Sequence, residues 1–401
     1  MSVSLDDLRD HFDHTTAQGD PATLSRYRQL RRTCPVTRSD RHDGFWVISR
    51  YQDIIEVLRK NSVFSSADGI IIPGMANPLR MIPTESDEPL HTQYRSVLYP
   101  FLTPGAVKPY EPMVRRCVTD LIDAFVEDGS ADLLTQFAKP LPAQVISQFF
   151  GFTADDGIRC YEWLCQMFLG EHDPAAAVQG VTSFVGFLQE ALAKARANPT
   201  DDVLSAVVTH RFDGRGFTDE ECVGIMFTSI TGALETTVAG IALGLRIFGL
   251  NRTVRDRLLA EPASIARSVE EVLRMESPAQ CPARTVTEAV ELNGTKMQPG
   301  DRVLLLFGSG NYDDEKFSDP EEFQIDRKPN SHLAFGHGIH KCVGQHLARL
   351  ELRVAFEEVL RRMPDYELVE APTPNMRGGS TWGIDSLRVR FTPGKRSTAG
   401  A

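Results

Sequence analysis

The sequence predicts a mainly α-helical protein with small β-sheets, an α+β mixture, on three observations. A capped apolar helix runs from Thr218 to Leu250, the strand-like stretches are short and set apart from the helical ones, and 42% of the 401 residues are hydrophobic. That much apolar material can enclose a large core. Strands and helices that segregate rather than alternate argue against a doubly wound sheet.

Taken in order, Gly44-Phe45-Trp46-Val47-Ile48-Ser49 reads as a strand, followed by a helix over Tyr51 to Lys60. In the stretch Ala67 to Leu90, Gly69-Ile70-Ile71-Ile72-Pro73-Gly74 is apolar and flanked by breakers, which suggests a mobile lid over an apolar site. Helical periodicity recurs over Ala106 to Gly129 and Ala175 to Asn198. Thr218-Asp219-Glu220-Glu221 is a capping box, with Thr at the N-cap and Glu at the third helical position. The helix it opens spans roughly 45 Å at 1.5 Å per residue, the width of a domain. Ser264 to Met275 reads as a helix stopped by Pro278, Thr285 to Leu292 as a strand turning at Asn293-Gly294, and Arg302 to Phe307 as another strand. After Cys342, the residues Val343, Leu347, Leu350 and Val354 recur at helical spacing. Pro393 to Ala401 looks like a loose end.

Lys and Arg total 43 against 54 Asp and Glu, a net charge of −11, which argues against a general nucleic-acid binder. The seven cysteines are scattered and form no CxxC pair, as expected in a reducing compartment. Met1 to Asp20 lacks the basic head and apolar run of a signal peptide, and no stretch approaches 18 uninterrupted apolar residues. The expectation is a cytoplasmic protein without a membrane anchor.

Four constellations carry chemistry. In Phe335-Gly336-His337-Gly338-Ile339-His340-Lys341-Cys342-Val343-Gly344, the glycines free the backbone to turn several N–H groups toward one sulfur. A helix beginning just beyond Cys342 favours its thiolate. Gly232-Ala233-Leu234-Glu235-Thr236-Thr237 interrupts the middle of the long helix. A Thr hydroxyl bonded to a preceding carbonyl can bend a helix and open a groove, and Glu235 offers a proton. Glu271 and Arg274 share one face of their helix, as do His91 and Arg95.

The spacing of Phe335, Gly338, His340, Cys342 and Gly344 resembles the haem-binding signature of the cytochromes P450. Glu235-Thr236 resembles the acid-alcohol pair of that family's distal helix, Ala233 standing where a glycine is frequent. Glu271 and Arg274 resemble its Glu-x-x-Arg pair, and the stretch Phe317 to Phe323, closed by Arg327, resembles the irregular segment before the cysteine loop. Asn311-Tyr312-Asp313 departs from the usual Asn-Arg-Asp, which puts one local ion pair in doubt. The motifs run in the family's order from about residue 20 to 392.

The resemblance implies a cytochrome P450 fold, a triangular prism holding haem b between the long distal helix and the proximal cysteine-loop helix. Residues 1–401 would form a single domain, with a β-rich part near 40–65, 285–307 and 366–392 and a helical part near 90–280 and 343–363. Cys342 would ligate the iron, with Ala233, Phe335, Gly336 and Gly344 against the macrocycle. His91, Arg95, Arg284 and His340 would hold the propionates, and Thr236 and Glu235 would supply protons. The implied activity is a monooxygenase that uses dioxygen and two electrons to hydroxylate, O-demethylate or epoxidise a small hydrophobic substrate. Terpenoids, aromatics and secondary metabolites all qualify, the sequence looking nearest to camphor and terpene hydroxylases; Arg80 could anchor a substrate carboxylate or simply be exposed. Electrons would come from a 2Fe–2S-type ferredoxin and a flavin-dependent ferredoxin reductase, docking on a basic patch of Arg115, Arg116, Lys341 and Arg349, and the protein would be a monomer. A peroxide-driven peroxygenase and a haem-thiolate sensor are the alternative readings.

Overall fold

The computed structural model describes residues 10–74, 79–167 and 173–397. About 52% of the chain is helical and its sheets are small, which bears out the mainly α class. Contacts divide it into two units. The first comprises the described parts of Met1–Met75 with Ala242–Cys342 and Ala371–Asp385; the second comprises those of Ala76–Ile241, Val343–Glu370 and Ser386–Ala401.

The first unit is built on a mixed five-stranded sheet. Val36–Ser39 pairs antiparallel with Phe45–Ile48, which pairs parallel with Arg302–Leu305; next come Ala283–Val286 and Phe64–Ser65, both antiparallel. The pleat sends alternate side chains to opposite faces. Phe45, Val47 and Leu304 therefore bury against Tyr27 and Leu30, while Ile48, Val303 and Leu305 bury against Ile54, Ile55 and Leu58. The latter three come from the helix Tyr51–Arg59.

The predicted strand Thr285 to Leu292 is two strands, Ala283–Val286 in the sheet and Val290–Leu292 in a separate hairpin with Thr295–Met297. Thr287 still continues the pairing, its N–H donating to the Val63 carbonyl (2.9 Å) in register and its hydroxyl to that of Ser62 (2.7 Å), and the chain leaves the ladder at the bend on Glu288. Asn293 and Gly294 turn the hairpin with φ of 49° and 75°, as a type I′ turn requires. Arg302–Leu305 ends short of its predicted limit because Phe307–Gly310 forms a helical turn.

One segment of the expected lid is held down. Asp68 to Ile72 is fastened to the sheet: the Ala283 N–H donates to the Ile70 carbonyl (2.7 Å), and the Arg302 guanidinium donates to those of Asp68 (2.7 Å), Gly69 (2.9 Å) and Ile71 (3.3 Å). His14 Nε2 bonds the Ile72 carbonyl (2.6 Å), and the Ile72 side chain is buried. Residues 75–78 of that stretch lie outside the described residues.

The second unit is helical, with Leu90–Leu98, Glu111–Asp123, Pro140–Phe150, Ala154–Met167, Pro174–Ala197 and Gln345–Arg362 as its main members. The long helix Asp219–Leu250 gives most of its 32 residues to this unit, and its predicted cap is present. Glu221 N–H donates to Thr218 Oγ1 (3.2 Å), and Thr218 N–H donates to Glu221 Oε2 (2.7 Å). This helix has the length and mean hydropathy (1.4) of a membrane span, but 67% of that stretch is buried inside the structure, as in a core helix. The tail is not loose as far as Ser397. Gly394 N–H donates to the Val126 carbonyl (2.8 Å), and Arg362 holds Asp123 (2.6 Å) and the Lys395 carbonyl (2.8 Å).

Candidate functional site

In the first unit the cysteine loop closes on itself. Gly336 N–H donates to the Leu333 carbonyl (2.7 Å) and Cys342 N–H to that of Phe335 (2.8 Å), around a short turn at Gly338–His340. Gly336 and Gly338 have φ of 67° and 69°, a region open to glycine. A Cβ on Gly338 would also lie 2.4 Å from the Leu58 carbonyl oxygen, so the loop lies directly on the end of the helix Tyr51–Arg59. Cys342 is half-buried and unbridged. Cys222 and Cys160 are buried, and burial pushes them up to about 11 and about 12, far from thiolate formation at neutral pH. Cys342 instead lies three residues before the helix Gln345–Arg362, whose N-cap is Gly344. That helix start favours negative charge.

The loop is held from behind by a buried ion cluster. Glu271 and Arg274 are both fully buried and paired through two bonds of 2.8 and 2.9 Å. Arg274 Nη1 donates to the carbonyls of Asn311 (2.9 Å) and Pro320 (2.8 Å), and Glu271 also accepts from Arg327 Nε, Gln324 N–H and Asn330 Nδ2, each at 3.0 Å. Burial opposes ionisation of Glu271, yet the Arg274 guanidinium, with Gln324 and Arg327, holds its carboxyl below the usual range. Tyr312 and Phe317 present their rings to Arg274 at 5.5 and 5.4 Å.

Two of the residues expected at the propionates lie in this unit. His340 Nε2 lies 3.1 Å from Ser66 Oγ, and Arg284 is buried within Ala283–Val286, where Nη1 donates to the Ala283 carbonyl (2.7 Å). The ring of Phe335 packs 5.8 Å from that of His332. Ser66 was missed by sequence reasoning, since nothing local marks a serine as the partner of a histidine far along the chain.

In the second unit, Thr236 Oγ1 donates to the Gly232 carbonyl (2.8 Å) in the middle of the long helix, as its sequence position predicts. Gly232 is exposed, and a Cβ there would meet nothing within 4 Å. Ala233, Glu235 and Thr236 are half-buried, whereas Leu234 and Thr237 are buried. His91 is buried and Arg95 half-buried one turn later on Leu90–Leu98. Burial, followed by the Arg95 charge, lowers the His91 pKa. The same helix is tied to the start of the long one: Tyr94 Oη donates to Glu221 Oε1 (2.6 Å), which also receives Arg215. Those bonds, led by Arg215, hold Glu221 down to about 2.

The structure thus places Phe335, Gly336, His340, Cys342 and Arg284 in one unit and His91, Arg95, Ala233, Glu235, Thr236 and Gly344 in the other. Of the expected basic patch, Arg115 is already committed to Glu111 (3.0 Å), Glu357 (2.7 Å) and Glu358 (2.7 Å). Arg80 is exposed and donates to the Glu85 carbonyl (2.7 Å).

Known proteins give this arrangement a family. The sequence model described as Cytochrome P450 matches residues 162–375. A steroid C26-monooxygenase from Mycolicibacterium smegmatis is 34% identical over 376 residues, covering 92% of each chain. A methyl-branched lipid omega-hydroxylase from Mycobacterium bovis is 35% identical over 365 residues, 87% of this chain and 85% of that one. Among solved structures, a Mycobacterium marinum cytochrome P450 in complex with pseudoionone superposes with a TM-score of 0.87 at 26% identity, covering 98% and 99% of the two chains. With these relatives and this fold, the chain belongs to the cytochrome P450 family, the monooxygenases that carry haem on a cysteine thiolate.

Proposed function

We propose that the protein hydroxylates the end of a branched aliphatic chain on a steroid-like or isoprenoid lipid, using haem ligated by Cys342. The observation that carries this reading is the Thr236 hydroxyl, bonded back to the Gly232 carbonyl at an open point of a mostly buried helix. Support for the substrate class comes from the relatives named for steroid C26 and methyl-branched lipid omega oxidation.

The residues fit the group. A half-buried cysteine on a glycine turn supplies the thiolate donor, the open side of Gly232 admits a flat ring, and Arg284, His340, His91 and Arg95 suit two carboxylates. Haem held there supplies dioxygen activation and oxygen insertion into an unactivated C–H bond. Phe335, Gly336, Ala233 and Gly344 would lie against the macrocycle. Thr236 Oγ1 holds a proton at the groove, and the Glu235 carboxyl replaces it from the half-buried side. That pair favours an oxygen-driven enzyme over a peroxide-driven one.

Within this proposal residues 1–401 act as one cytoplasmic, monomeric domain, and electrons arrive from a ferredoxin with its flavin-dependent reductase. Arg116 and Lys341, both exposed, and Arg349 remain the candidate contacts once Arg115 is set aside. Two measurements test the reading. The reduced, CO-bound protein should show the red-shifted Soret band of thiolate ligation, and a His-type spectrum would refute it. Thr236→Ala should release most of the consumed oxygen as peroxide rather than as alcohol, and unchanged coupling would remove Thr236 from its role. A branched-side-chain steroid should give a terminal alcohol, with oxidation confined to the ring counting against the substrate class.

A further inference from the structure

Each residue of Asn311-Tyr312-Asp313 has its own task in the first unit. Asp313 Oδ2 accepts from the Tyr51 N–H (2.9 Å) that opens the helix Tyr51–Arg59. Tyr312 lies beside Arg274, and its carbonyl accepts from Arg31 Nη2 (2.7 Å). Asn311 is wholly buried and sits at a junction. Its N–H donates to the Phe307 carbonyl (2.9 Å), its carbonyl accepts from Arg274 Nη1 (2.9 Å), and its Oδ1 accepts from the Leu333 N–H (2.7 Å). Its Nδ2 has no partner among the described residues.

A buried amide nitrogen without a partner is uncommon, because an apolar side chain of similar size would avoid the desolvation cost. Flipping the amide would not help, since the Leu333 N–H needs an oxygen opposite it. What Asn311 contributes is therefore the acceptor, placed where the backbone of the cysteine loop begins. Leu333 is itself buried, and its carbonyl accepts the Gly336 N–H (2.7 Å) that starts the turn leading to Cys342.

We infer that Asn311 is a positioning residue for the axial cysteine, joining the buried Glu271–Arg274–Arg327 cluster to the cysteine loop through one side-chain oxygen. The inference rests on the reading of Cys342 as the haem ligand. Arg274 donates to the Asn311 carbonyl and Asn311 Oδ1 accepts from the Leu333 N–H, so Asn311 is bonded both to the cluster and to the start of the loop. Losing Oδ1 would leave the Leu333 N–H buried and unpaired between the anchored part and the Gly336 turn. The strain would be relieved by movement of the turn, and the sulfur would move with it.

The test uses the holoenzyme and three measurements. The reduced, CO-bound spectrum of Asn311→Leu should lose most of its thiolate band to a blue-shifted one, while Asn311→Asp, which keeps the acceptor and drops the unpartnered donor, should retain most of it. In the wild type, hydrogen exchange should rank the Leu333 amide among the slowest between Ser331 and Gly344. The inference is overturned by an intact thiolate band in Asn311→Leu, by equal losses in the two variants, or by rapid exchange at Leu333. Exchange on the wild type decides the matter if Asn311→Leu does not fold. A wild-type holoenzyme lacking the thiolate band would instead remove the Cys342 reading on which the inference stands.

Discussion

Glu271 and Arg274 show how far a short motif can be read. Their spacing puts them on one helical face, and that much is visible in the sequence, but the same spacing describes any surface pair. Only the fold brings Arg327, Gln324 and Asn330 to Glu271 and turns the pair into a buried cluster. Glu271→Gln should therefore destabilise the protein by about 3–5 kcal/mol, because it leaves a buried guanidinium without its charge partner; denaturant unfolding would measure this. A second acid of the same helix behaves oppositely. Burial pushes Glu276 up to about 7, Arg246 Nη1 at 3.4 Å only partly opposing it. Its ordinary value is 4.5, so the folded protein holds a proton that the unfolded chain releases between pH 4.5 and about 7. The contribution is complete below that window and is lost as pH rises through it. Glu276→Gln should flatten the fall in Tm across the window, and a slope equal to that of the wild type would show that Glu276 does not titrate there.

At the scale of elements, helices marked by local signals were legible and connections made at a distance were not. The capping box at Thr218 and Glu221 depends on residues three apart, so sequence suffices to place the start of the long helix. Tyr94 joins Glu221 from far upstream, and no local pattern announces it. The same limit applies to the first part of the expected lid. Asp68 to Ile72 looks like a free apolar loop until Arg302, Ala283 and His14 are found to hold its carbonyls. Two glycines of the long helix make the contrast measurable. Gly224 would place a Cβ 2.8 Å from the Arg80 carbonyl oxygen, and Gly232 would place one in open space. Gly232→Ala should thus gain up to about 1 kcal/mol of helix propensity while weakening ligand binding in the groove, whereas Gly224→Ala should lower Tm despite the same propensity gain. Thermal unfolding and substrate titration of both variants would separate packing from propensity.

For the whole molecule, the class and family were readable because several weak motifs occur in one order, each restricting the next. The substrate was not, since none of these motifs has a spacing that depends on it. Charge is intermediate. The net of −11 is plain in the sequence, but which basic residues remain available depends on Arg115 being neutralised by three carboxylates. Replacing Lys341 and Arg349 with Glu should slow electron transfer from a reduced acidic ferredoxin by about tenfold or more at low ionic strength and weaken its salt dependence. Stopped-flow reduction over a salt series would check this, and an unchanged profile would place the docking surface elsewhere.

The Arg302 clamp has a practical meaning for redesign. A loop graft that adds one residue just after Asp68 would slide the Gly69 and Ile71 carbonyls out of the guanidinium's reach and put Ile70 out of phase with the Ala283 N–H. A graft into this stretch should therefore be spliced after Pro73, leaving the clamped residues as a fixed seam.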